Sequence, residues 1–418
     1  MQIKTLAALI AIAQIANEVA ADLTFWHNFT TQIDPKNVSV PSITQTTSIN
    51  PSEECVYYSP DTSLVDIVSA EWPTSWQKAT TNGMNETAEF IAMYNSIDWT
   101  KAPNIPVRTL LADGSLNMTG YSSSSDPDCW WSASGCTKPK ISDAYTDLVQ
   151  CAEPETWGLT YDDGPNCSHN AFYDYLEEQK LKATMFYIGS NVIDWPYGAM
   201  RGIQDGHHIA CHTWSHPMIT TFTNQEVLAE FYFSLKAIKL ATGLTPRYWR
   251  PPYGDIDDRV RWIAAQLGLT AVMWNLDTDD WAAGLTKTVA DVQTAYDQFI
   301  QMGKNGTFAG SGNIVLAHEI NNETMSLAIQ NLPSIQAAYK QVINVATCFN
   351  ISQPYFEDYT WLDVLNGTAA SSTAVSGVPS AQSAAKSTST DAQSSDASSN
   401  AISSIFALFA VALGSLLS

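Results

Sequence analysis

The sequence predicts an α/β fold built on a parallel sheet that is either open or closed into a barrel. Between about residues 157 and 345, short apolar runs alternate with helical stretches. Repeated β–α units of this kind are typical of parallel sheets. Polar residues follow where apolar runs end, at Asp162, His212, Asp280 and His318. Catalytic groups of α/β barrels lie at the carboxyl ends of the strands, so these residues are predicted to share one site.

The order of elements follows from the same pattern. The apolar runs predict strands at residues 157–161, 183–188, 248–250, 269–274 and 314–317. The stretches between them predict helices at residues 169–180, 257–266 and 288–302. A further helix is predicted from residue 223 to about residue 240. It begins with Thr223 and Glu226, which have the spacing of a capping box.

Both ends of the chain have the patterns of targeting signals. Residues 1–21 combine Lys4, an apolar run and a small-residue cleavage pattern, which indicates a secretory signal peptide. Residues 401–418 contain an apolar tail that no Lys or Arg follows. This tail is typical of a GPI signal that is removed, with attachment predicted between Asp391 and Asn400. The alternative is a C-terminal transmembrane helix, which basic flanking residues would normally orient.

Between the two terminal signals, the composition distinguishes several regions of the chain. Residues 22–145 are rich in Ser, Thr, Pro and Asn, which predicts a glycosylated, loop-rich N-terminal extension packed on the catalytic domain. Residues 146–350 form the predicted catalytic domain, and residues 351–366 are its C-terminal tail. Residues 367–400 are dominated by Ser, Ala and Thr and predict an O-glycosylated stalk with the GPI attachment region.

Nine N-glycosylation sequons favour an extracellular protein. They lie at Asn28, Asn37, Asn85, Asn117, Asn166, Asn305, Asn322, Asn350 and Asn366. The seven cysteines suit an oxidising compartment, and their odd number leaves one over.

Connectivity does not follow from the sequence alone, but two pairings are plausible on position. Cys129 with Cys136 would close a small loop, and Cys151 with Cys348 would join the ends of the motif-bearing region. For Cys167 and Cys211, disulfide pairing is favoured over a role as soft metal ligands.

A formal charge of −22 argues against binding to nucleic acid or to anionic lipid surfaces. An acidic surface most simply confers solubility. A second hypothesis is that it helps to retain a cationic product.

Two short motifs indicate metal-assisted hydrolysis. Residues 160–165 read Thr-Tyr-Asp-Asp-Gly-Pro, and residues 212–217 read His-Thr-Trp-Ser-His-Pro. Two histidines and one carboxylate can hold a metal and leave positions open for water and substrate. The second carboxylate is then free to act as a base. A glycosidase is disfavoured, because its two carboxylates stand about 5–9.5 Å apart and come more naturally from different loops.

These two motifs and three later ones, within about residues 150–350, resemble the ordered set of polysaccharide deacetylases of carbohydrate esterase family 4, which have a NodB-type domain. The family's first motif usually has Phe where this chain has Tyr161. The other three motifs are Arg250-Pro251-Pro252-Tyr253-Gly254, Asp277-Thr278-Asp279-Asp280-Trp281 and Leu316-Ala317-His318-Glu319. The resemblance implies a distorted (β/α) barrel. With the secretion and anchor patterns, the chain is most similar to GPI-anchored fungal members that convert chitin to chitosan and acetate.

The resemblance implies the proton-transfer roles. Asp162 would be the general base, oriented by Arg250. His318 would be the general acid, held by Asp280.

It also implies the metal and substrate contacts. A divalent metal, expected to be Zn²⁺ with Co²⁺ as the alternative, would be bound by Asp163, His212 and His216. The backbone N–H of Tyr253 would serve the oxyanion, while Trp281 and Leu316 would line the acetyl pocket. Pro217 and the family pattern favour a loop rather than a helix for the two histidines.

Two other functions stay open at this point. One is an O-acetyl xylan esterase with the same metal chemistry, and the other is a non-catalytic wall glycoprotein that binds polysaccharide. The expected partners are chitin or its oligosaccharides and, through the anchor, the outer face of the plasma membrane or the cell wall. The chain is expected to be a monomer. Trp214 and Trp249 are candidate sugar platforms, with core packing as the default.

Overall fold

The computed structural model describes residues 71–357. The predicted signal peptide, stalk and anchor tail lie outside these residues, as do Cys55 and the sequons at Asn28, Asn37 and Asn366. Within residues 71–357, no helix is long and apolar enough to cross a membrane.

The centre of the molecule is a curved parallel sheet of eight strands. They are β1 (Thr156–Gly164), β2 (Thr184–Tyr187), β3 (His208–Cys211), β4 (Tyr248–Trp249), β5 (Thr270–Ala271), β6 (Leu276–Asp277), β7 (Asn313–Leu316) and β8 (Gln341–Ile343). The spatial order is β5-β4-β3-β2-β1-β7-β6, and β8 pairs with the beginning of β1. This is the predicted parallel arrangement, in the form of an incompletely closed (β/α) barrel.

The gap in the barrel lies between β5 and β6, which are consecutive in the chain but stand at opposite ends of the strand order. The prediction of one strand over residues 269–274 was therefore wrong in its extent. Residues 272–275 cross the gap instead, with the N–H of Val272 bound to Trp249 on one side and the N–H of Asn275 bound to Ile314 on the other. Apolar residues in this stretch are buried because they close the barrel, which gives them the pattern of a core strand.

Helices cover the outside of the sheet. The described helices are α1 (Ala88–Ser96), α2 (Trp131–Ser134), α3 (Asn170–Glu178), α4 (Gly189–Asp194), α5 (Pro196–Gln204), α6 (Asn224–Thr242), α7 (Asp258–Gln266), α8 (Val289–Lys304), α9 (Asn322–Ala338) and α10 (Val345–Cys348). The capping box at Thr223 and Glu226 is confirmed at the start of α6. A second capping box at Thr288 and Asp291 begins α8. The sequence predicted α3, α6, α7 and α8 but did not predict α1, α2, α4, α5, α9 or α10.

The described part of the N-terminal extension packs on the barrel. Phe90 of α1 is buried against Tyr232 and Phe233 of α6. Trp72 stacks on Trp214 with ring centroids 5.9 Å apart. These contacts bury apolar side chains from both regions in one core.

The structure contains both disulfides that position suggested, Cys129–Cys136 and Cys151–Cys348. Cys167 is also disulfide-bonded. Cys211 is a free, buried thiol, so the favoured pairing of Cys211 was wrong. Its position at the end of β3 places it inside the barrel wall, where its thiol donates to Ser234.

The six described sequons differ in accessibility. Asn305 and Asn350 are exposed, whereas Asn322 is only 2% exposed in the first turn of α9. A glycan requires an accessible side-chain amide, so the fold argues against the predicted glycosylation of Asn322.

Candidate active site

The predicted site residues come together at one end of the barrel. Asp162 and Asp163 lie near the end of β1, His212 directly follows β3, and Arg250 directly follows β4. Asp280 comes shortly after β6, and His318 shortly after β7. Because the strands are parallel, their carboxyl ends meet at the same edge. The sheet thus assembles residues that are up to 156 positions apart in sequence, from Asp162 to His318.

Asp163, His212 and His216 form a compact group with the composition of a metal site. Asp163 Oδ1 lies 3.3 Å from His212 Nε2 and 3.2 Å from His216 Nε2. All three ligand atoms lie within 4.8 Å of one another. Asp163 Oδ1 is buried and has no hydrogen-bond partner despite these short distances. Three acceptor atoms that converge without hydrogen bonding to one another are suited to a shared cation.

The surroundings orient these ligands. The Nδ1–H of His212 donates to the carbonyl of Arg250 over 2.8 Å, which leaves the Nε2 lone pair directed at Asp163. His216 lies in a loop, as predicted, and the ring of Tyr253 contacts it edge-on at 4.7 Å.

Arg250 fixes the carboxylate of Asp162. Its Nη1 donates to Asp162 Oδ1 over 2.7 Å and to Thr160 Oγ1 over 2.9 Å. The remaining guanidinium donors reach the carbonyls of Val272 and Met273, in the segment that closes the barrel. The guanidinium also lies 4.1 Å from the ring centre of Phe186. The buried charge of Arg250 is therefore both paired and hydrogen-bonded, and Asp162 has one fixed orientation.

Asp280 holds His318 by two contacts. Asp280 Oδ1 lies 2.6 Å from His318 Nδ1, and Oδ2 accepts the backbone N–H of His318 over 2.8 Å. Burial opposes the charged imidazolium, but Asp280 outweighs it and raises the pKa of His318 to about 10. Asp163 and Asp162 act in the same direction. His318 is consequently protonated at neutral pH, with Nε2 free to donate.

Backbone conformation in the site is unusual. Five non-glycine residues adopt positive φ angles: Asp163 (73°), Thr213 (64°), His216 (54°), Tyr253 (58°) and Asp279 (55°). Such conformations cost about 1–3 kcal/mol each and persist only where surrounding contacts impose them. Their concentration in the motif loops indicates that the placement of these side chains lowers the local stability.

The predicted pocket residues occupy different environments. Leu316 is buried, and its carbonyl accepts from the backbone and side chain of Thr278. Trp281 is partly exposed, and its backbone N–H donates to Asp280 over 2.9 Å. Tyr253 is partly buried beside His216, and burial together with Asp163 raises the pKa of its phenol.

Glu230, which the sequence did not identify, supports the loop between His212 and His216. This buried residue of α6 accepts the backbone N–H groups of Trp214 (3.0 Å) and Ser215 (2.8 Å) and the hydroxyl of Ser215 (2.8 Å). It also accepts the N–H of Ala79 from the N-terminal extension over 2.9 Å. Burial raises the pKa of Glu230 to about 7, although these donors oppose the shift. A carboxylate on an otherwise apolar helix face was the available signal, but its partners are distant in sequence.

A second buried carboxyl, Glu319, links the first and fifth motifs. It lies 3.1 Å from both the hydroxyl of Tyr173 and Nδ1 of His169. Burial raises its pKa well above the usual range and lowers that of His169 to about 3, so both groups are uncharged. Gly164 is required here, since a Cβ at this position would come within 2.0 Å of Glu319 Oε1.

Three other candidates have no part in the site. Cys211 adjoins His212, but burial raises the pKa of its thiol to about 11, which disfavours the thiolate that a metal needs. Trp214 and Trp249 are buried in the core, so neither can present a face to a sugar. The default interpretation of these two residues as core is confirmed.

The sequence is similar to a known family and to known proteins. The family model for polysaccharide deacetylase matches residues 150–272. A chitin deacetylase of Amylomyces rouxii is 71% identical over 376 residues, which cover 90% of this chain and 89% of the relative. Chitin deacetylase 2 of Cryptococcus neoformans var. grubii is 46% identical over 316 residues, 74% of this chain and 68% of the relative.

Among solved structures, the chitin deacetylase of Colletotrichum lindemuthianum aligns with 51% of this chain and 96% of its own, at 24% identity and a TM-score of 0.46. High identity to the Amylomyces protein over nearly its whole length, together with the family match across the first three motifs, assigns the chain. It belongs to the polysaccharide deacetylase family.

Proposed function

We propose that this protein hydrolyses the N-acetyl groups of chitin to give chitosan and acetate. The observation that carries the proposal is the placement of two fixed proton-transfer pairs, Arg250–Asp162 and Asp280–His318, beside the group of Asp163, His212 and His216. The names of the curated relatives supply the substrate, and the geometry supplies the reaction class.

The residues present fit a divalent cation, which we propose to be Zn²⁺. Two neutral imidazoles and a carboxylate are common zinc ligands, and the unpartnered Oδ1 of Asp163 needs a positive partner. A Zn²⁺ ion held there would polarise the acetyl carbonyl and lower the pKa of a water ligand toward about 7.

Asp162 is the proposed general base. Its Oδ2 lies 3.7 Å from His212 Nε2, so the carboxylate borders the space that the ligand group encloses. Arg250 binds Oδ1, which leaves Oδ2 to accept the proton of the attacking water. Because Arg250 fixes the carboxylate before substrate arrives, no reorientation is needed during proton transfer.

His318 is the proposed general acid. Expulsion of an amide nitrogen requires that the nitrogen be protonated, and a cationic imidazole can donate this proton from Nε2. Asp280 accepts from Nδ1, which fixes the ring and stabilises its charge.

Tyr253 is the proposed donor to the oxyanion. Its positive φ turns the backbone in the loop beside His216. A backbone N–H directed at the oxyanion is worth about 2.7–4 kcal/mol of barrier. Trp281 and Leu316 are the proposed walls of the acetyl pocket.

The test is acetate release from chitin hexamer by the purified, secreted chain, with acetylated xylan as the competing substrate. We expect release from the hexamer that stops with a chelator and returns with Zn²⁺. Release from xylan alone would replace the proposal with an O-acetyl esterase. Hexamer binding without release from either substrate would support the non-catalytic alternative.

We further propose that the enzyme is secreted, monomeric and GPI-anchored at the cell surface. Secretion is supported by the signal-peptide pattern of residues 1–21, and the anchor by the apolar tail and the Ser/Ala/Thr stalk at residues 367–418. Phosphatidylinositol-specific phospholipase C should release the activity from intact cells. Retention after this treatment, with release by detergent, would favour a transmembrane tail.

A further inference from the structure

Two partly exposed indoles, Trp131 and Trp274, form a pair at the edge of the candidate site. Their ring centroids are 5.0 Å apart and their planes are inclined by 54°. Trp131 comes from the N-terminal extension, and Trp274 comes from the segment that closes the barrel. The pair therefore connects two regions that are distant in the sequence.

Each indole has a direct neighbour in the site. The Trp274 ring centre lies 5.5 Å from the guanidinium of Arg250, which holds Asp162. Trp131 lies against Gly254, and a Cβ added there would come within 2.2 Å of the Trp131 ring. Gly254 follows Tyr253, whose ring contacts His216. Trp274 is thus separated from the base by one residue, and Trp131 from the metal-ligand group by two.

The loop that carries Trp131 is held firmly on the catalytic domain. The Cys129–Cys136 disulfide closes it, and Arg261 donates to the carbonyls of both cysteines. The backbone N–H of Trp131 donates to Ile256 over 2.9 Å. The position of Trp131 is therefore set by contacts that do not involve its own indole.

The adjacent residue, Trp130, provides a built-in contrast. It is fully buried, and its indole N–H donates to Asp255 over 2.8 Å. Trp130 anchors the loop, whereas Trp131 is partly exposed. A rigid aromatic surface beside a reaction site is a typical feature of sites that bind uncharged ligands.

We propose that Trp131, together with Trp274, forms a stacking subsite for a sugar unit adjacent to the unit that is deacetylated. The proposal rests on the proposed function, since it assumes a β-linked N-acetylglucosamine chain across the site. The C–H face of a pyranose ring is apolar and matches an indole face. The N-terminal extension would thereby contribute directly to substrate binding.

Fluorine NMR tests the contact itself. The chain is labelled with 5-fluorotryptophan in an Asp162→Asn background, so that chitin hexamer persists, and Trp131→Phe assigns one of the signals. We expect the Trp131 signal to shift when hexamer binds. Trp99 is the control, because it packs on Tyr94 and Trp262 within the same extension and core. Hexamer binding by calorimetry without a shift at Trp131 would overturn the proposal.

Steady-state kinetics of the otherwise unaltered enzyme test the energetic role. Trp131→Ala should raise KM for hexamer by about 5–30-fold with kcat within about twofold, since the contact binds a remote part of the substrate. Trp131→Phe should stay within about threefold of the parent, because it keeps an aromatic face. A fall in kcat with unchanged KM would assign Trp131 a purely structural role and refute the subsite.

The two proposals fail in different ways. Hexamer that binds and shifts the Trp131 signal, but yields no acetate with the unaltered enzyme, would refute the deacetylase function and leave the sugar subsite standing. Acetate release with no effect of Trp131→Ala on KM would refute the sugar subsite and leave the deacetylase function standing.

Discussion

The two halves of the candidate site differ in how far the protein completes them by itself. On the proton-transfer side, Arg250 binds Asp162 and two main-chain carbonyls, and Asp280 binds both the ring and the backbone of His318. On the metal side, Asp163 Oδ1 is buried beside two imidazole nitrogens and has no hydrogen-bond partner. The polar groups of the proton-transfer side therefore find their partners within the protein. On the metal side, Asp163 Oδ1 needs an added cation as its partner.

This difference has a physical consequence. Proton-transfer groups must hold fixed positions but exchange protons with substrate, so the fold pairs one edge of each group and leaves the other edge free. Metal ligands must present lone pairs to a common point, and any internal donor there would compete with the ion. An unpaired buried oxygen is therefore a requirement of the metal side rather than a defect.

The largest expected effect separates the two adjacent aspartates. Asp163→Asn should lose the bound metal and at least about a thousandfold in kcat, because the anionic ligand is gone. Asp162→Asn should lose a similar factor in kcat but retain one metal per chain. Metal content by atomic spectroscopy and acetate release together check this. Loss of metal from both variants would contradict the division into two halves.

Removal of the general acid is expected to have the next largest effect. His318→Ala should lower kcat on chitin hexamer by about 10²–10⁴-fold, since protonation of the departing amine is lost. Metal content should be unchanged, because His318 belongs to the other half of the site. Asp297→Ala, an exposed substitution on α8, serves as the control and should leave both quantities unchanged.

The pH dependence sharpens the role of Asp280. His318 must be protonated to act, and its pKa is raised to about 10, so activity should fall as the pH rises through this pKa. A cation at Asp163 would offset that carboxylate's contribution and bring the alkaline limb below pH 10 in the metal-bound enzyme. Asp280→Asn removes the main stabilising charge and should shift the limb further toward neutral pH. A profile of kcat/KM between pH 6 and about 11 measures it.

An unshifted alkaline limb in Asp280→Asn would show that another group controls it. Metal content of this variant provides the control, since a structural collapse would reduce it and a local electrostatic change would not.

The smallest expected effect comes from Glu230, which supports the metal side indirectly. Glu230→Gln replaces one of its acceptor oxygens with a donor and should weaken metal affinity by about tenfold. Glu226→Gln on the same helix is the matched control, because Glu226 pairs with Lys78 near the surface. Equal losses of metal affinity in the two variants would contradict a specific role for Glu230.

Glu230 should also contribute to the pH dependence of stability. Its pKa is about 7 in the fold, above the value of about 4.3 for an unfolded chain. Protonation of this group therefore favours the folded state. The associated stabilisation is full below about pH 4.3 and is lost as the pH rises through about 7. The melting temperature of the metal-free protein should decline less over this range in Glu230→Gln than in the parent.

Much of the fold and the composition of the site follow from the sequence, because the signals are local. The apolar runs identify β1, β2 and β7, and the pairing of Thr223 with Glu226 identifies the start of α6. The motif residues stand at strand ends, and parallel strands bring such ends together whatever their separation in the chain. The assignments of individual roles to these residues stay predictions.

Tertiary structure alone decided the features that depend on contacts between distant segments. Residues 269–274 have the pattern of one strand, yet the chain there crosses the gap between β5 and β6. Asn322 belongs to a valid sequon, yet packing of α9 buries it. Cys211 was expected to pair, yet its place in the barrel wall leaves it a free thiol.

The same reason explains why Glu230 and Trp131 were not identified from the sequence. The role of Glu230 depends on its contacts with Ala79 and Trp214. The role of Trp131 depends on its contacts with Gly254 and Trp274. Local patterns determine which elements form and which residues stand at their ends. What each side chain touches is decided only when the sheet closes and the N-terminal extension docks, because hydrogen bonding and packing depend on distance in space rather than along the chain.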